Sequence, residues 1–110
     1  MGKDELGQFE EMALLAVLRL DDDAYGAAIQ QEIADRTGRR RTISAIYVTL
    51  VRLQEKGLVA SDLADPTPVR GGKAKRYFRV TAAGGEALAA SRRAMQRLWE
   101  GVELPSSSAD

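Results

Sequence analysis

The chain has 110 residues, 45% apolar and 29% charged, the size and balance of one soluble globular domain. It contains no cysteine and no histidine, which removes disulfides, thiolate sites and the usual transition-metal ligands and catalytic bases. The formal net charge is zero, yet residues 36–79 hold eleven cations against three anions, between flanks of net −7 (1–35) and −1 (80–110), a segregation that points to a one-sided surface for a polyanion.

No apolar run approaches the roughly 20 residues that span a bilayer. The opening MGKDELGQ lacks the basic-then-apolar layout of a signal peptide, so the expected location is the cytoplasm.

Leu6 to Leu20 reads as the first helix. Phe9, Met12, Ala13, Ala16 and Leu20 form one stripe, while Leu14, Leu15, Val17 and Leu18 are apolar on other sides. A helix apolar over so much of its circumference is buried on more than one side, and in so small a domain one side is expected to meet a second subunit. Asp21-Asp22-Asp23 ends the helix and offers Asp22 or Asp23 as N-cap of the next. That second helix runs from Tyr25 to Thr37, with Tyr25, Ile29 and Ile33 four apart and Gly38 placed for a left-handed C-cap.

Arg39, Arg40 and Arg41 lead to Thr42, the expected N-cap of a third helix within Ile43 to Leu58. Here Ile43, Ile46, Leu50 and Leu53 form an apolar face, and Ser44, Val48 and Arg52 lie opposite, flanked by Ala45 and Thr49. The outward face is small and carries one long cation, where an ordinary surface helix would be crowded with Glu and Lys. Such a helix packs by one side and reads DNA by the other. Base reading needs side chains that reach the major groove, so Ser44, Ala45, Val48, Thr49 and Arg52 are the candidate base contacts, with Arg52 equally suited to a guanine edge or to a phosphate. Thr42 stands at the helix entrance, and Tyr47 at the border is expected to pack its ring and offer its hydroxyl to a phosphate. Arg39, Arg40, Arg41 and Lys56 are the candidate backbone contacts.

Leu58 to Leu63 and Arg76 to Val80 read as two strands. Pro66, Pro68 and the Gly71-Gly72 pair make the tip between them irregular. Arg70, Lys73, Lys75 and Arg76 flank this wing, where they would follow phosphates or enter the minor groove. On the returning strand Phe78 and Val80 are expected to face the core. Thr81 caps a last helix starting at Ala82. Along it Leu88, Met95 and Val102 recur every seven residues with Ser91 and Leu98 between them, a heptad-like seam suited to packing along another helix. Pro105 to Asp110 is a polar tail, expected to be disordered.

The fold class is therefore mainly α with a two-stranded β wing. A winged helix-turn-helix occupies 1–80, a C-terminal dimerisation helix 81–104 and a tail 105–110. No Ser or Lys sits beside a plausible base and orienting group, so an enzyme is not expected.

Three stretches in register, YGAAIQQEI, AIYVTLVRLQEKGLV and KRYFRVTAAGGEAL, resemble the PadR family of bacterial transcriptional regulators. The likeness runs from about residue 6 to 100 and fits the family's short branch with a single C-terminal helix. It implies a homodimer joined through the first and last helices, bound to an inverted-repeat operator in double-stranded DNA and repressing transcription. The implied dimer residues are Phe9, Met12, Leu88, Met95, Leu98, Trp99 and Val102. Some short members take a planar apolar effector against an aromatic of the last helix. Met95 stands near that place and Trp99 about one turn beyond it, so both are candidate ligand contacts. No cofactor or metal is implied. The alternative is a winged-helix protein-interaction module that never touches DNA. Such modules tend to lose the basic wing and fill the third helix with acids, which this chain does not do.

Overall fold

The computed structural model describes residues 5–63 and 75–106. Four helices and two strands follow in order: α1 (Gln8–Leu20), α2 (Gly26–Thr37), α3 (Ile43–Glu55), β1 (Val59–Leu63), β2 (Arg76–Val80) and α4 (Ala82–Trp99). β1 and β2 pair antiparallel from Val59↔Val80 to Leu63↔Arg76. This is a winged helix-turn-helix with one added C-terminal helix. The wing tip, with Arg70 and Lys73, lies outside the described residues, as does most of the tail expected to be disordered.

The core is where α1, α2 and α3 converge on the sheet. Leu14, Ile29, Ile46, Leu50 and Leu53 have no exposed surface, and Val17, Ile33, Val59 and Phe78 join them. α3 packs through Ile46, Thr49, Leu50 and Leu53, the i, i+3, i+4, i+7 spacing of a helix buried along one stripe.

The junction between α1 and α2 departs from expectation. Asp21–Asp23 form a single 3-10 turn, and the N-cap of α2 is Tyr25, with neither Asp22 nor Asp23 capping. The cause is long-range. Ala24 and Tyr25 are drawn straight alongside β2, the Phe78 amide donating to the Ala24 carbonyl at 2.8 Å and Tyr25 bridging to Tyr77. The aspartates therefore end too early to reach the helix. Gly38 takes the expected left-handed C-cap, with φ 75°.

α4 begins at Thr81, whose Oγ1 accepts from the Gly84 amide at 3.1 Å and donates to the Gly57 carbonyl at 2.7 Å. Leu88 packs on the core, and past Ser91 the helix projects with every residue exposed. The molecule accordingly extends 61 Å along its longest axis against 20 Å along its shortest. α4 stops at Trp99 and Gly101 adopts φ 75°, so Val102 does not continue the heptad seam as expected. Among the described residues no helix is long and apolar enough to cross a membrane.

Candidate nucleic-acid interface

Thr42 starts α3 as expected, its Oγ1 accepting from the Ala45 amide at 3.1 Å. With Ile46, Thr49, Leu50 and Leu53 turned inward, the outward face consists of Ser44, Val48, Val51 and Glu55, edged by Tyr47 and Arg52. At 100° per residue this face is rotated by roughly 60° from the expected one. Thr49, expected to touch bases, is only 6% exposed and belongs to the core. It occupies the i+3 slot of the buried stripe formed by Ile46, Leu50 and Leu53. Ile43, expected in the core, is exposed, and so is Val51, which the sequence reading passed over. The 46, 49, 50, 53 spacing was the signal that would have found both. Glu55 at the end of the face disfavours close approach of phosphates there.

Tyr47 packs as anticipated. Its ring covers Gly26, where an added Cβ would lie 2.5 Å from the ring, and it sits 6.4 Å from the Phe78 ring. Its hydroxyl takes no hydrogen bond among the described residues.

The candidate backbone cations divide into free and committed groups. The guanidinium groups of Arg39 and Arg52 make no hydrogen bond or ion pair among the described residues. Arg40 donates to the Gln31 side chain at 2.8 Å, a neutral partner that leaves its charge available. Arg41 lies 4.5 Å above the Phe9 ring, and its carbonyl accepts from Gln30 at 2.7 Å. On the wing, Lys75 sits 4.1 Å from the Tyr25 ring and Arg76 donates to Ser61 Oγ at 3.0 Å.

Lys56 is the exception. Its ammonium lies 3.0 Å from both carboxylate oxygens of Glu10, a residue 7% exposed, so it serves the fold and is not held out to solvent. Glu10 Oε1 also accepts from the Gly7 amide at 2.8 Å, the N3 half of a capping box, since Gly7 has no side chain to return the bond. Burial pushes the Glu10 carboxyl up, but the Gly7 amide, Lys56 and, last, the charge of Arg52 more than offset this and hold it below its ordinary value of 4.5. A carboxyl depressed in the folded state stabilises above its unfolded pKa, and that contribution is lost as pH falls through the lower folded value. Lys56→Ala is expected to cost about 2 kcal/mol at neutral pH, less than a fully buried pair because Lys56 keeps a quarter of its side-chain exposure. Glu10→Gln should flatten the acid limb of stability. Urea unfolding at neutral and acid pH checks both, and an unchanged midpoint in Lys56→Ala would dismiss the pair.

Away from α3, whose residues take no part in it, α1 and α4 line an open groove of about 910 Å³ whose apolar walls are Leu15, Leu18, Leu88, Met95 and Trp99. It gathers three of the expected interface residues, Leu88, Met95 and Trp99. Phe9 and Met12 are not among them. They are half-buried against the chain's own core, and Leu15 and Leu18 present the open side of α1 instead.

A family model described as the transcriptional regulator PadR-like family matches residues 14–90. The chain belongs to the PadR-like family of transcriptional regulators. A transcriptional regulator of Mycobacterium tuberculosis is 38% identical over 78 residues, which cover 71% of this chain and 68% of that protein. Among solved structures, a PadR family regulator from Eggerthella lenta superposes with a TM-score of 0.63 at 26% identity, covering 83% of this chain and 80% of that one. Another from Clostridium difficile gives 0.66 at 20% identity, covering 84% and 95%. PadR-like proteins are DNA-binding transcriptional regulators and not enzymes.

Proposed function

We propose that this PadR-like protein acts in the cytoplasm as a homodimeric repressor, each subunit laying α3 into the major groove at one half of an inverted-repeat operator. The observation that carries this is the uncovered outward face of α3 with unpaired cations around it: Arg39 and Arg40 at its entrance and Arg52 on its flank. Tyr47 and Arg76 are suited to phosphates beside it, with Arg41 and Lys75 weaker candidates because the Phe9 and Tyr25 rings already hold them. Residues 1–80 form the DNA-binding unit on this reading, and α4 with Leu15 and Leu18 of α1 joins the subunits. Met95, Leu98 and Trp99 are 51%, 72% and 53% exposed on an arm with no buried residue beyond Ser91, a surface that asks for a second copy. A planar apolar effector that relieves repression would enter the same groove against Met95 and Trp99.

Selection of bound sequences from a random duplex pool tests the reading. It should return two inverted half-sites whose centres lie about 34 Å apart. Arg52→Ala should weaken binding to the selected site by about 1–3 kcal/mol in an anisotropy titration. Wild-type affinity in that variant, or a pool with no preferred sequence, would sink the proposal.

A further inference from the structure

Val48 and Val51 are 55% and 53% exposed, stand one turn apart on the outward face of α3, and are covered by nothing among the described residues. A reading helix whose centre is two valines is chemically unusual, because most base edges are lists of donors and acceptors. In the major groove one apolar group is on display, the C5-methyl of thymine. We propose that Val48 and Val51 each pack on a thymine methyl, so that every operator half-site carries a pair of thymines beneath them. The proposal rests on α3 being the DNA-reading helix.

Three features support it. A helical valine holds essentially one χ1 rotamer, so its branched methyls are presented with little entropy left to lose. The two side chains are separated by about 4.5 Å along the helix axis, against about 3.4 Å per base step. They therefore meet neighbouring or next-neighbouring steps. Placed over a G·C pair, the same valines would cover the guanine O6 or the cytosine amino group and leave it without a partner, so the strip also rejects G·C. The flanks favour DNA over a protein partner. Arg52 borders the strip on one side, and Arg39 and Arg40 stand at its entrance, so a protein docked here would bury those unpaired cations.

The experiment uses the operator selected by the wild-type protein, with each thymine replaced in turn by deoxyuridine, which removes only the methyl. Two positions per half-site should show binding weakened about fourfold each. Val48→Ala should abolish the sensitivity at one of them and Val51→Ala at the other, each leaving the second intact, as a double-mutant cycle between side chain and methyl requires. Both residues are exposed, so thermal melting of the variants should match the wild type. If uracil is tolerated at every position while the protein still selects and binds its operator, the methyl contacts are overturned and the DNA-reading role of α3 stands. If the valine variants weaken self-association in sedimentation and leave operator affinity unchanged, the strip is a protein-docking surface and the proposal falls. A pool that yields no preferred sequence overturns both this inference and the reading on which it rests.

Discussion

Raising salt from 50 to 200 mM should weaken operator binding by about a thousandfold to ten-thousandfold. The expectation counts charges that are free to meet phosphates. Arg39, Arg40 and Arg52 qualify on each subunit, and Arg76 on the wing brings the total to about three or four contacts, or six to eight in a dimer. Each releases counterions, giving a slope of log affinity against log salt of about −5 to −7. The structure sharpens this by removing one cation from the count. Lys56 is held by Glu10, so Lys56→Ala should lower stability and leave the salt slope unchanged. Arg39→Ala should do the reverse, reducing the slope by about 2 for the two subunits together with no loss of stability. A wild-type slope near −1 in an anisotropy titration would remove the phosphate-dominated picture altogether.

Gly84→Ala should cost about 3 kcal/mol of stability, the upper end for forcing an atom into a filled site. An added Cβ would press on the Leu58 carbonyl oxygen inside contact distance and lie 2.7 Å from Val80 Cγ1. Neither neighbour can give way easily. The Leu58 carbonyl already accepts from the Thr81 amide at 3.0 Å, and Thr81 is tied to Gly57 and Gly84. The adjacent Gly85 supplies the control, since nothing lies within 4 Å of its added Cβ. Gly85→Ala should be neutral or gain up to about 1 kcal/mol, as expected for an exposed helical glycine. A melting curve for Gly84→Ala that overlays the wild type would show that α4 can shift freely on the wing. Because α4 also carries Met95 and Trp99, sedimentation of the same variant would report whether its direction matters for self-association.

Much of this architecture is written locally. The element order, the caps at Thr42 and Thr81, the turn at Gly38 and the inward facing of Phe78 and Val80 each depend on residues a few positions apart, and each is readable. What escaped was set by distant partners. Glu10 captures Lys56 from 46 residues away, Phe9 underlies Arg41, and β2 straightens Tyr25 out of the helix it was expected to open. A basic residue next to a reading helix looks free until the chain folds an acid onto it. The rotation of α3 has a subtler origin. Thr49 counts as polar in a sequence but is buried in the fold, and with it inward the outward face moves from Ala45 and Thr49 toward Val51. The turn at Gly101 likewise ends α4 before Val102, which a seven-residue repeat alone does not reveal.

α1 holds α3 at both ends, through Phe9 beneath Arg41 just before the helix and Glu10 against Lys56 just after it, while Leu15 and Leu18 on the same rod line the groove with α4. The same helix thus touches both the groove and the two ends of α3. A molecule that bound the groove and changed the pose of α1 would act on α3 through those two contacts, and any factor it took from operator affinity the operator would take from its own.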